Sequence, residues 1–316
     1  MKKILQKCIV MLVTMTMSGV ILAGCGDAKE SSKSLETEST VLKEELKNNT
    51  ADTVEEEKGT IKLVYVNWAE GIAMTNLAKV ILEDKMGYDV EVTMADVAPI
   101  FTSLSSGDQD VFMDAWLPIT HKSYMDKYGK ELEDLGNNFE GAKIGLVVPS
   151  YMDINSITEL NDIADDLDGE IIGIDSGAGI MTTTEEAIDT YDLNLELLPG
   201  SGPAMTAALD TAIEKKEPIV VTGWEPHWKF ARWDLKFLND PEGVYGDSET
   251  IHTITRKGFS GDMPEAAEFF KNFFMDSQQL GDLMGAISDS DEDPEVVAKE
   301  WMDENEDLVQ SWIPAE

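Results

Sequence analysis

Strand and helix alternate along most of this chain, and that alternation limits its fold more than any other feature. Ile61-Lys62-Leu63-Val64-Tyr65-Val66-Asn67 is a β-rich run that opens directly into residues 71–86, where Ile72, Leu77, Val80 and Ile81 fall at helical spacing. Val90 to Met94 alternates again, Val97 to Leu104 reads as a helix, and Asp110 to Met113 as another short strand. A second block follows the strand Lys143 to Val148, with strands at Ile171 to Ile174 and Pro218 to Thr222 and helices at Ile180 to Tyr191 and Pro203 to Lys215. Ile251 to Thr255 reads as a chain returning from a second lobe. Only helical segments come after it: Pro264 to Phe274, Gln278 to Ile287, Pro294 to Asn305 and a short piece ending near Trp312. The expected class is therefore α/β, with parallel-dominated sheets flanked by helices in two lobes, and a cleft between them that opens and closes.

The first 24 residues do not belong to that pattern. Lys2, Lys3 and Lys7 precede an uncharged stretch from Cys8 to Ala23, the form of a secretory leader rather than of a stop-transfer helix. It ends in Leu22-Ala23-Gly24-Cys25, and small residues before a cysteine fit the site where bacterial lipoproteins are diacylated and cleaved. Cys25 is then the expected lipidated first residue, which leaves no other cysteine and no disulfide to brace the fold. The expected division is 1–24 leader, 25–59 lipidated cysteine and disordered acidic tether, 60–147 first part of lobe 1, 148–252 lobe 2, and 253–316 the return to lobe 1 with the C-terminal helices.

Charge excludes some functions. With 24 Lys and Arg against 62 Asp and Glu the formal net charge is −38, and loss of the leader would remove three more lysines. Such a surface repels nucleic acid and does not suit a polybasic membrane skin. There is no G-x-x-x-x-G-K-[ST], no H-E-x-x-H and no G-x-S-x-G, and three scattered histidines offer no zinc spacing, so neither a cofactor nor a metal is expected.

Aromatic residues near strand ends are the informative signal. Trp68 ends the first strand, Trp116 follows Asp114-Ala115 after another, and Trp224 follows Thr222-Gly223 in the second block, places where α/β folds gather ligand contacts. Three indole faces brought together make a box with negative π potential and apolar walls, suited to a methylated ammonium. A tryptophan at a strand end also serves as core or rim, and position alone does not decide between these roles. Gly173 to Met181 runs from a strand through glycines into a helix; it is either an anion site of free backbone N–H groups or a tight turn with glycines for geometry. His121 stands at the start of a helix and could add a donor to the same anion. Glu70, Asp114 and Glu225 lie beside the tryptophans and either balance a cation or face solvent, with solvent the default for acids.

Five stretches match a known family: Tyr65 to Glu70, Asp114 to Lys122, Gly173 to Met181, Thr222 to Trp228 and Ile251 to Phe259. Over residues 60 to 313 the chain resembles the glycine betaine-binding lipoproteins of bacterial ABC importers, in the unpermuted order of lobe segments. The resemblance implies a two-lobed periplasmic-binding-protein fold of type II-like form. It also implies a cage of Trp68, Trp116 and Trp224 for the ammonium, with Gly179, Ile180 and His121 holding the carboxylate and Trp228 left as packing or rim. The implied partners are a quaternary-ammonium ligand, a permease with a separate ATPase subunit, and the extracytoplasmic membrane face through Cys25. Carnitine, choline or proline betaine remain alternative ligands. A hydrolase acting on a cationic substrate through Asp114 and His121, and a surface scaffold without a small ligand, remain alternative functions.

Overall fold

The structure, a computed structural model, describes residues 58–315; the leader, Cys25 and all but the end of the tether lie outside the described residues. Strand β1 (Thr60–Tyr65) alternates apolar and polar residues, burying Ile61, Leu63 and Val64, and pairs in parallel with β2 (Asp89–Met94). Between them α1 (Ala69–Asp84) is buried on nearly every side, because the sheet covers one flank while helices from the C-terminal part of the chain cover another. Helix α2 (Val97–Ser106) buries Val97, Ile100, Phe101 and Leu104 and stops at Gly107, whose φ of 80° ends it in the left-handed region that glycine enters freely. Strand β3 (Val111–Leu117) follows, then α3 (Lys122–Tyr128).

The joint of the molecule is one long strand. β4 runs from Leu132 to Pro149, 18 residues of which the apolar pattern announced only the last third. Its first half carries Asp134, Asn137, Asn138 and Glu140 and shows no β-rich signature. It is held in the sheet by antiparallel pairing with β9 (Glu249–Arg256), which in turn lies antiparallel to β3. Past Ala142 the same strand leaves β9 and pairs with β7 (Val221–Glu225) and β8 (Leu235–Phe237) of the second lobe. The register slips between Glu140 and Ala142, with Gly141 at a φ of 85°, a bulge that re-aims the strand from one sheet into the other.

The second lobe adds β5 (Glu170–Ile172) and β6 (Glu196–Leu198), parallel to each other, with β5 also parallel to β7. Helix α4 (Gly179–Thr190) follows β5, and α5 (Gly202–Lys215), N-capped by the Ser201 hydroxyl, follows β6. Strand order is β2-β1-β3-β9-β4-β7-β5-β6, with β8 pairing β4. The two-lobed α/β architecture is as expected, but the sheets are mixed rather than parallel-dominated: the outer pairs are parallel, while every pairing made by β4 and β9 is antiparallel. Alternation of strand and helix reveals crossovers and is blind to strands that merely turn back.

Six further segments were not anticipated: β6, β8, α6 (Lys229–Arg232), α7 (Phe259–Asp262) and the 3-10 helices Gly129–Glu131 and Ile157–Leu167. The C-terminal helices α8 (Pro264–Asn272), α9 (Ser277–Asp289), α10 (Pro294–Glu304) and α11 (Glu306–Trp312) fall within two residues of expectation. α9 opens on a capping box in which Asp276 accepts from Gln278 and Gln279. Phe259, Phe269, Phe270 and Phe273 seal them onto the first lobe, each no more than 1% exposed. Among the described residues no helix is long and apolar enough to cross a membrane.

Candidate functional site

The two lobes meet around a hollow with about 280 Å³ of empty space. Trp68, Trp116 and Trp224 line it together with Ala178, Gly179 and Ile180. Glu70 and Thr120 complete the first-lobe wall, and Ile144 and Ile174 the apolar floor. Each indole arrives differently. Trp68 caps α1 in an extended conformation, its N–H donating to the Val66 carbonyl at 2.8 Å. Trp116 sits within β3 and Trp224 within β7, one or two residues inside strands that run further than the apolar pattern suggests. All three are at most 5% exposed.

Every one of the indole N–H groups donates to a carboxylate. Trp116 Nε1 reaches Asp114 Oδ1 at 2.9 Å within the first lobe. Trp224 Nε1 reaches Glu70 Oε2 at 2.9 Å across the cleft, and Trp68 Nε1 reaches Asp175 Oδ2 at 3.4 Å in the opposite sense. Glu70 and Asp114 are 0% and 1% exposed, so the solvent default for acids fails at both. Each also keeps one buried oxygen without a partner, Oε1 and Oδ2 respectively. Burial pushes the Glu70 carboxyl up to about 7, against hydrogen bonding from Trp224 and the charge of Lys229. Burial and the neighbouring Glu70 raise Asp114 well above the usual range. Glu225, by contrast, is half-exposed and pairs with Lys143 at 3.1 Å.

Lys229 is a residue the sequence did not flag. It is wholly buried, with Nζ 4.1 Å from the Trp224 ring centre and donating to the Trp224 carbonyl at 3.2 Å. Burial pulls its amine down to about 7 in spite of Glu70 and Glu225. A lysine between Trp228 and Phe230 on a short helix reads as surface, and only the tertiary packing hides it. Trp228 itself is half-buried under the Arg232 guanidinium, 4.4 Å from its ring centre, and lines an adjoining groove rather than the hollow.

The other end of the hollow is made of donors. Gly179 and Ile180 are the first two residues of α4, which has no side-chain cap, so their N–H groups have no partner within the helix. A Cβ on Gly179 would lie 2.2 Å from the Thr120 carbonyl oxygen of the facing lobe, so glycine is required for the lobes to approach this closely. His121 lies behind this wall rather than in it, fully buried and stacked on Trp68 at 5.9 Å. Its Nδ1 accepts from the Trp116 N–H at 2.9 Å, which places the ring proton on Nε2, and Nε2 has no partner. Burial pushes the imidazole down to about 3, so at neutral pH it is an uncharged N–H donor. The loop that carries Thr120 and His121 is pinned by buried Glu249, which accepts from the Ile119 and Thr120 N–H groups at 2.8 and 2.9 Å and from the Thr120 hydroxyl. Asp114 and His121 both engage Trp116 and not each other, so they form no acid–base pair. His252 is remote from the hollow, held between Asp134 and Thr250, while His227 accepts from the Lys229 N–H behind Trp224. Among the described residues no group of His, Cys, Asp and Glu is arranged to hold a metal ion.

Comparison with known proteins gives this geometry a context. Residues 59–304 match the family of the substrate binding domain of ABC-type glycine betaine transport systems. The chain is 46% identical over 154 residues to the glycine betaine/carnitine transport binding protein GbuC of Listeria monocytogenes, covering 48% of this chain and only about half, 51%, of that relative. Among solved structures it is similar to lactococcal OpuAC in its closed-liganded conformation with glycine betaine, at 40% identity and a TM-score of 0.77, over 81% of this chain and 100% of that one. It is also similar to the glycine betaine, L-proline-binding protein (ProX) of Borrelia burgdorferi, at 38% identity and a TM-score of 0.78, over 81% and 97%.

Proposed function

The chain belongs to the family of substrate-binding domains of ABC-type glycine betaine transport systems, and from that premise we propose that it captures glycine betaine or a related quaternary-ammonium osmolyte outside the cytoplasm and hands it to the permease of an ABC importer. The family is one of transport rather than of catalysis. Cys25 would tether the chain to the membrane surface through lipid, and a separate subunit would supply ATP hydrolysis.

One observation carries the reading: a single hollow has three indoles on one side and unpartnered helix-start N–H groups on the other. A trimethylammonium cannot donate a hydrogen bond and is held by π faces, each contributing about 1 to 2 kcal/mol when desolvated. A carboxylate takes the Gly179 and Ile180 N–H groups, with the buried Nε2–H of His121 behind that wall as the further donor that the resemblance assigns. The two ends match a zwitterion. Trp68, Trp116, Thr120 and His121 belong to the first lobe and Trp224, Gly179 and Ile180 to the second, so the complete site exists only when the lobes are together, and the ligand shifts the population toward closure.

Titration of the purified chain with glycine betaine, proline betaine, carnitine and choline tests the reading by calorimetry. At least one is expected to bind at micromolar concentration, and Trp116→Ala is expected to weaken it more than tenfold through loss of one cage face. No heat and no thermal shift across the panel would overturn it.

A further inference from the structure

The bonds between indoles and carboxylates do more than satisfy buried donors. Two of the three cross the cleft, and they do so reciprocally: the second-lobe indole of Trp224 donates to first-lobe Glu70, and the first-lobe indole of Trp68 donates to second-lobe Asp175. We propose that Glu70 and Asp175 are positioning residues that bolt the lobes shut through the edges of the cage tryptophans, and that the bolt holds only when a cation occupies the cage. This rests on the betaine-capture reading and adds to it a means by which occupancy is converted into closure.

The first half of the argument is geometric. A buried indole N–H needs an acceptor, and in the closed molecule the acceptor for Trp224 comes from the opposite lobe. Parting the lobes breaks that bond and returns both groups to water. Trp116 provides the internal contrast, because its acceptor Asp114 stands two residues away on the same strand and stays with it in any arrangement of the lobes. The face of each ring holds the ligand while its edge holds the other lobe, so ring orientation and closure become one variable. An anion at the ring edge also deepens the negative potential over the face, which favours a cation there.

The second half is a charge count. Closure sets two buried carboxylates that are neighbours in the first lobe, Glu70 and Asp114, against one buried amine from the second, Lys229. The cluster is one positive charge short, and one oxygen on each acid has no partner. Closing over nothing buries that excess charge at a desolvation cost that disfavours the closed state unless it is neutralised. A quaternary ammonium supplies the missing charge, while its carboxylate lies at the far end on uncharged donors.

The test combines affinity with a direct measure of closure, such as the distance between spin labels placed on the two lobes. Wild type is expected to bind glycine betaine and close. Glu70→Ala is expected to lose at least tenfold in affinity and to remain partly open at saturating betaine. Glu70→Gln, which keeps an acceptor but not the charge, is expected to fall between the two, and Asp175→Asn to lose a few-fold. Asp114→Asn is expected to weaken binding and to close as fully as wild type at saturating betaine, but, with the excess charge removed, to close more readily than wild type without ligand. Trp224→Phe keeps a face and removes the N–H; its effect on closure is expected to vanish in the Glu70→Ala background. Closure of Glu70→Ala and Glu70→Gln as complete as in wild type, or additive effects of the Trp224 and Glu70 substitutions, would overturn the bolt while leaving capture intact. A wild type that binds none of the betaines would remove both.

Discussion

At Glu70 the cost of burial has a measurable consequence. Its carboxyl is raised from 4.5 to about 7, so between those values the folded protein holds a proton that the unfolded chain has lost. The contribution of this group to stability is therefore full at low pH and falls as pH rises through that window. Lys229 acts in the opposite sense, since its lowered amine is charged and penalised below about 7 and is relieved above it. A quaternary ammonium in the cage favours the ionised forms of Glu70 and Asp114, so binding should expel protons near neutral pH. Betaine affinity is expected to rise several-fold from pH 5 to 8. Calorimetry at pH 6.5 is expected to give heats that vary with the ionisation heat of the buffer. Glu70→Gln should flatten both. His121 contributes nothing to this dependence, because it is already neutral above about 3. Heats independent of buffer would show that the buried acids do not titrate with the ligand.

Among the elements, the start of α4 is where the lobes come closest. Gly179→Ala is expected to leave the unliganded thermal midpoint within about 2 °C, because the atoms nearest the added methyl all belong to Thr120 of the facing lobe and move away when the cleft opens. Betaine affinity should nonetheless fall at least tenfold, since Thr120 blocks closure. Gly177→Ala, whose Cβ would find its nearest neighbours at 3.8 Å, is the matched control and is expected to bind normally. Equal affinities for the two variants would disprove the close approach. This glycine was legible in the sequence only as one of two readings, turn geometry or anion site, and the structure adds a reason that neither named: the close approach of Thr120 from the facing lobe. That the tryptophans line one hollow was legible because an indole beside a strand end is a mark in residue type, and Gly179-Ile180 because glycines between a strand and a helix are another. Glu70 and Asp114 were not, because an acid near a tryptophan looks the same whether it faces water or accepts from an indole, and Asp175 has no tryptophan near it in the chain at all. The polar half of β4 escaped for a similar reason: its strand conformation comes from β9, more than a hundred residues away, and not from its own side chains.

For the molecule as a whole the decisive quantity is the excess of acid. A formal charge of −38 sets up a potential that reaches well beyond the surface at low salt, with a Debye length of about 10 Å at 0.1 M and about 3 Å at 1 M. Glycine betaine is a zwitterion, so that field pulls on one end and pushes on the other, and neither its encounter rate nor its affinity gains much. Choline carries a net positive charge and gains from the field in full. Raising NaCl from 10 mM to 0.5 M is therefore expected to leave the betaine dissociation constant within about twofold while weakening choline several-fold, so the ratio of the two affinities turns toward the zwitterion as salt rises. Parallel titrations at the two salt concentrations check this. Equal salt sensitivity for both ligands would mean that the acids are too far from the cleft, or too well screened, to act on what enters it. The expected divergence would instead make the surface charge part of ligand selection: at high salt a simple cation would lose its long-range advantage, and the donors around Gly179 and Ile180 would decide what is kept.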